Sequence, residues 1–263
     1  MELKVSSHRL TDIMKKLLLL LVALTPIAAF GQSGMVTYEQ IVKIEIDLPP
    51  EMESMRAQIP AESKSSMILY FNEMESLMKA APQDESKKDN EVRSGRGEMF
   101  ISMARGQTAE NETYMNLEEG TVTEKRDFMG RTFLIGGDQP TYAWKMTGEQ
   151  SEYLGYSVQR ATAIRDSTTI DAWFSPEIPV SAGPELFTGL PGMILVLSID
   201  DGKIQYAATT ISLEGVGENG IKAPKEGKKI SRAEFEKVVE EKTKEMKAQF
   251  GGRSGGAVHI MRH

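Results

Sequence analysis

Histidine and cysteine set the first limit on the chemistry open to this chain. Its 263 residues include three histidines and no cysteine. His8 lies near the start, whereas His259 and His263 fall within the last five residues, in "AVHIMRH". In an extended segment, alternate residues project from one face. His259, Met261 and His263 would then offer two imidazoles and a thioether to one soft metal such as copper or zinc. The segment follows "GGRSGG", a tether-like run, and chain ends fray. A metal-binding tail is therefore an alternative reading, and no cofactor is assigned.

Residues 32–258 contain neither histidine nor cysteine. A histidine general base, a serine–histidine triad, an HExxH zinc site and a thiolate nucleophile are all excluded there. Carboxylate, lysine, serine and tyrosine chemistry remains. Two acids could converge as a glycosidase-type acid and base, but Asp and Glu are scattered at positions that read as solvated strand faces and turns. The expectation is a protein that is not an enzyme, with no catalytic residue assigned.

The densest Gly/Pro cluster, "GPELFTGLPGMILVL" at residues 183–197, invites comparison with a phosphate loop. Such a loop needs Lys and then Ser or Thr after its last glycine, and Met193 and Ile194 stand there. It also follows a strand and opens a helix, whereas this cluster precedes a strand-like run at residues 193–199. Its role is conformational: Gly189 and Gly192 supply backbone freedom, Pro191 fixes the turn, and the chain enters a buried strand. Asp200-Asp201-Gly202 then turns it back as a hairpin into residues 203–213. Upstream, Trp173, Phe174, Pro176, Glu177 and Pro179 fit either a groove for an extended peptide or lipid, or a strand end packed under the Gly/Pro turn. The second is favoured, and Trp144 poses the same choice.

The elements that must position these residues are mostly strands. Residues 1–31 read as a secretory signal peptide, with Met14-Lys15-Lys16 before an apolar run that ends in small residues; Met14 is an alternative start. That run is too short to span a membrane. Removing it takes four bases and two acids, moving the formal charge from −7 to −9. An acidic chain without a Lys/Arg stripe argues against nucleic acid and anionic membrane surfaces as partners; a basic patch assembled only by the fold is the counter-reading. Without cysteine the exported chain has no disulfide and no lipid attachment site.

Period-two patterning predicts strands at residues 35–47, 66–72, 98–104, 112–117, 122–128, 132–135, 141–146, 156–164, 168–174, 193–199 and 203–213. A short helix is predicted at residues 51–58 and a solvated loop at 82–91, while residues 73–80 fit strand or helix. At the C-terminal end, Ser231-Arg232-Ala233-Glu234 is a capping box. Phe235, Val238, Val239, Met246 and Phe250 then line one face of a helix of about 18 residues, stopped by Gly251-Gly252. With 14 of the 16 methionines beyond residue 31, most methionines are read as gap-fillers of a cysteine-free core.

The segment "DAWFSPEIPVSAGPELFTGLPGMILVL", residues 171–197, resembles the signature of the GLPGLI family of exported bacterial proteins, and "YLGYSVQRATA", residues 153–163, is similar to a second family segment. Met193 replaces the usual Leu, and Ser157 stands where many members have Cys. The resemblance implies export and a β-rich fold, and brings no catalytic residue, substrate or cofactor.

The expected architecture is mainly β: a curved antiparallel sheet, a meander of about ten strands, with a packed C-terminal helix. The expected organisation is a signal peptide (1–31), one β-rich domain (32–250) and a Gly-rich tail (251–263). The expected role is that of an exported, soluble, non-enzymatic binding or carrier protein in the periplasm or outside the cell. Its partner would be an unknown small molecule, lipid or protein, held on the concave side of the sheet. The alternatives are a metal binder acting through the tail and a structural partner of an envelope complex.

Overall fold

Alternation governs the first strand, β1 (Gly34–Lys43): Val36, Tyr38, Gln40 and Val42 are buried, whereas Met35 and Lys43 are exposed. Such a strand has one face to bury and one to solvate. In the computed structural model the described residues are 33–44, 60–82, 111–216 and 220–251, within the compact unit Gln32–His263. The predicted helix at 51–58, the loop beyond Pro82, the strand at 98–104, the end of the first predicted strand and the tail lie outside them.

Among the described residues one sheet of twelve strands forms. After β1 come β2 (Glu62–Phe71), β3 (Glu75–Ala80), β4 (Glu112–Asn116), β5 (Thr121–Phe128), β6 (Arg131–Asp138) and β7 (Lys145–Tyr153). The second half contains β8 (Tyr156–Arg165), β9 (Thr168–Ser175), β10 (Met193–Ile199), β11 (Ile204–Ser212) and β12 (Lys228–Ser231), followed by the helix α1 (Arg232–Gly251). The order across the sheet is β12-β6-β5-β4-β3-β2-β1-β11-β10-β9-β8-β7. Every neighbouring pair is antiparallel except β12 with β6. The mainly β, open and curved sheet with a C-terminal helix is as expected, with twelve strands rather than about ten.

The sheet curls strongly. Strands sit about 4.8 Å apart, so β7 and β11, four places apart in the order, would be about 19 Å apart in a flat sheet. Yet the Tyr153 hydroxyl at the end of β7 donates to the Ala208 carbonyl of β11 at 2.7 Å. A bulge at Leu195 breaks the β10–β9 register between Ile194 and Val196, and the fully buried Tyr38 hydroxyl donates to the Ile194 carbonyl at 2.6 Å. Bulges sharpen local bend and twist, which suits this position on the curl.

The inside of the curl is filled by the connection between β9 and β10. Ile178, Val180 and Ala182 are buried at 0%, 3% and 0% exposure and join the apolar cluster that contains Val36, Tyr38, Leu69, Phe71 and Leu197. The connection advances by tight three-residue turns, with Val180 N–H donating to Ile178 C=O and Ala182 N–H to Val180 C=O, both at 2.8 Å. It is stitched to β10 by Met193 N–H on Ile178 C=O (3.0 Å) and Ile194 N–H on Ala182 C=O (2.9 Å). Residues 176–192 thus form an internal strap. The concave side expected to receive an apolar ligand is occupied by the chain's own side chains, because the P-E-I-P-V-S-A stretch places its apolar residues at every second position.

Candidate functional site

The Gly/Pro cluster does what its composition implies. Gly189 has φ 89°, and a Cβ on Gly192 would lie 2.1 Å from the Ser175 carbonyl oxygen. Only glycine lets the strap pass so close to the end of β9. Trp144 resolves as packing: its indole N–H donates to the Thr188 carbonyl at 2.8 Å and its ring lies against Gly189. Tyr142 stacks on Phe187 with centroids 4.9 Å apart. Phe174 is fully buried, Trp173 is half-buried, and Pro176, Glu177 and Pro179 are exposed, so these five do not line one groove. Glu177 accepts the Ser157 backbone N–H at 2.9 Å, and that bond holds its carboxyl below the ordinary range. Ser157, where many GLPGLI members have Cys, is exposed.

Methionine behaviour divides. Met67, Met78, Met115 and Met193 are core residues, as gap-fillers should be, but Met35, Met74, Met129 and Met146 are 39%, 54%, 50% and 51% exposed. Met35 and Met146 sit at solvent-facing strand positions, and Met74 and Met129 in a bend and a turn. His259, Met261 and His263 lie outside the described residues.

One set of charged residues escapes the sequence reading. Along β5, Val122, Glu124, Arg126 and Phe128 alternate onto the inner face, and Glu124 is fully buried. Arg126 reaches the Glu124 carboxylate through Nη2 at 2.6 Å and Nε at 3.0 Å. The same Nη2 reaches Glu185 of the strap at 2.9 Å, while the Thr113 hydroxyl donates to Glu185 at 3.0 Å. Arg232, at the start of α1, pairs with the other oxygen of Glu124. Glu185 adopts a left-handed backbone, φ 52°. A guanidinium stands between the two carboxylates, and each negative charge meets a positive one, as burial of charge requires. The V-x-E-x-R-x-F alternation is the one sequence signal that this strand carries charge inward.

Among the described residues, a cavity open to solvent lies on the outer face at the β12 margin. Register aligns Thr123 of β5, Gly136 of β6 and Ser231 of β12 in one row, and Lys125, Leu134 and Lys229 in the next. Pro224 and Lys225 form a wall beside them, giving an open groove of about 800 Å³. The segment arrives over β6 at Gly227, φ 124°, where a Cβ would sit 3.0 Å from the Phe133 backbone. A Cβ at Gly136 would meet nothing within 4 Å, so the floor is open there.

The helix start closes one end of the groove through the predicted capping box. Glu234 N–H donates to Ser231 Oγ at 3.2 Å, and Ser231 N–H donates to Glu234 Oε2 at 2.9 Å. These bonds hold the Glu234 carboxyl below its usual range. Phe235 packs edge-on against Phe133 and Phe128, with centroids 5.4 and 6.2 Å away. Among the described residues, Lys225 and Lys229 have no ion-pair partner. No helix of the described residues is long and apolar enough to cross a membrane.

Residues 162–196 match a family described as "Protein of unknown function (Porph_ging)". The matched stretch runs from β8 through the strap into β10. It overlaps the segment that resembles the GLPGLI signature and is compatible with that resemblance. No curated protein matches the chain. Two solved structures of PNGF-II, in the P21 and C2 space groups, are similar in fold at 14% identity, with TM-scores of 0.49 and 0.50. They cover 78% and 79% of this chain, which spans 32% of the PNGF-II chain. At that identity the likeness concerns the fold alone.

Proposed function

We propose that this chain is an exported, non-enzymatic binding protein of a GLPGLI-type family, and that it binds its ligand in the groove at the β12 margin rather than inside the curled sheet. One observation carries the reading: an open cavity of about 800 Å³ bears Lys225 and Lys229 without ion-pair partners among the described residues, whereas the strap fills the interior with Ile178, Val180 and Ala182. Export rests on the leader-like residues 1–31. The non-enzymatic reading is supported by the state of the inward-facing acids, since Glu124 and Glu185 are both bound by Arg126.

Native mass spectrometry of the chain from residue 32 onward, purified untagged from the envelope fraction of a native-like host, tests this. The expected result is a retained adduct that disappears in Gly136→Leu, a variant that fills the groove floor with a side chain. A bare polypeptide, or an adduct indifferent to Gly136→Leu, overturns the proposed site. Turnover of a glycoside or ester that Glu124→Gln abolishes would overturn the non-enzymatic reading.

A further inference from the structure

We propose that the groove takes an extended acidic peptide segment, laid along the free edge of β12 with its carboxylates on Lys225 and Lys229. The inference rests on the groove being the binding site and names the class of its occupant.

The edge comes first. Among the described residues β12 ends the sheet and pairs with β6 alone, so its other side joins no ladder there. An unpaired edge presents main-chain donors and acceptors to an incoming strand, which supply affinity, while side-chain pockets supply selectivity. Ser231 N–H is already taken by Glu234, so the addition is confined to Lys228–Ile230.

Charge comes second. The whole chain is at −7, yet residues 222–229 carry Lys222, Lys225, Lys228 and Lys229 against the single acid Glu226. Lys229 is placed by register beside Leu134, and Lys225 faces it from the wall. Lys125 lies in the same row but has Glu112 directly opposite on β4, which offsets it. The carboxylate of Glu234 closes the helix end of the groove. An acidic guest is therefore attracted to the Lys225–Lys229 side and repelled from the helix side, which sets its position. A basic guest finds two like charges.

The floor comes third. Leu134 and Pro224 are aliphatic, Thr123 and Ser231 carry hydroxyls, and none of the described residues lining the groove is aromatic. Flat sugar rings and nucleobases have no stacking platform here. An extended peptide that alternates acidic and small aliphatic residues matches both the lysines and the aliphatic floor.

The test uses fluorescence anisotropy with the chain from residue 32 onward and a labelled peptide of about six alternating Glu and Val residues, a usual strand length. Binding is expected, weakening as salt is raised. The double variant Lys225→Glu/Lys229→Glu should lose about tenfold or more in affinity. Gly136→Leu should abolish binding with an unchanged thermal midpoint. The same peptide N-methylated at alternate amides keeps its charge and loses its donors, and it should fail to bind. Equal binding of the N-methylated peptide, or equal competition by inorganic phosphate or an acidic oligosaccharide, overturns the peptide assignment. If the native adduct is lost in Gly136→Leu but the Glu-Val peptide does not bind, the peptide class falls and the groove reading stands. If there is neither adduct nor peptide binding, both fall.

Discussion

Gly192 and Gly136 show how differently one residue type is used. At Gly192 a Cβ would lie 2.1 Å from the Ser175 oxygen, a backbone atom that cannot swing aside. At Gly136 a Cβ meets nothing. Gly192→Ala is therefore expected to destabilise by about 3 kcal/mol, the upper end of overpacking effects, and Gly136→Ala to change stability by no more than about 0.5 kcal/mol. Urea midpoints of the two variants check this, and equal midpoints would refute it. The role of "GLPG" was legible because Gly frees φ and Pro fixes it locally, without reference to the rest of the chain. Glu124 was not legible. A charged residue on a short strand reads as solvated until its partners are known, and Arg126 is joined by Glu185, 59 positions further on, and Glu124 by Arg232.

At the scale of elements, strands with a buried face were predicted close to their true bounds, and the misses share a physical cause. β7 was expected at residues 141–146 but runs Lys145–Tyr153, because Tyr142 and Trp144 look like strand residues and instead pack on the strap. As an edge strand exposed over most of its length, β7 has no apolar alternation to reveal it. β3 fitted strand or helix because Leu77 and Met78 are both buried, one on each face, which erases the period-two signal. β12 was missed as four lysine-rich residues whose partner among the described strands, β6, is distant in sequence.

The helix α1 was read from its cap, and the cap makes it sensitive to acid. Bonds from Ser231 lower the folded-state pKa of Glu234 below its unfolded value of about 4.3. A depressed carboxyl contributes stability above that unfolded value and loses it as pH falls through the folded one. Helical ellipticity should therefore decline below about pH 4, and Glu234→Gln should remove that dependence while keeping an acceptor. Ser231→Ala should lower helix stability by about 1 kcal/mol at neutral pH. A profile that is the same with and without Glu234 would exclude the cap as its origin.

At the scale of the whole molecule, the apolar core joins β1 to β3, β8 to β11 and the strap, whereas the charged cluster joins β4, β5, strap and helix. Glu124 holds Arg126 and Arg232 at once, and Arg126 in turn holds the strap through Glu185. Removing one partner from a buried ion pair leaves an uncompensated charge and costs about 3–5 kcal/mol. Glu124→Gln leaves Arg232 without its carboxylate and Arg126 with Glu185 alone, so a loss of about 3 kcal/mol is expected. Because the cluster spans elements, the loss should register together in the fluorescence of Trp144 in a Trp173→Phe background, which reports on the strap, and in helical ellipticity, with coincident unfolding curves. If only the helical signal shifts, Glu124 holds α1 alone and the strap stands on its apolar packing. If both shift together, the buried charges are what makes strap, sheet and helix unfold as one. The strap would then close the inner face for as long as the sheet is folded, leaving the outer groove as the surface available for binding.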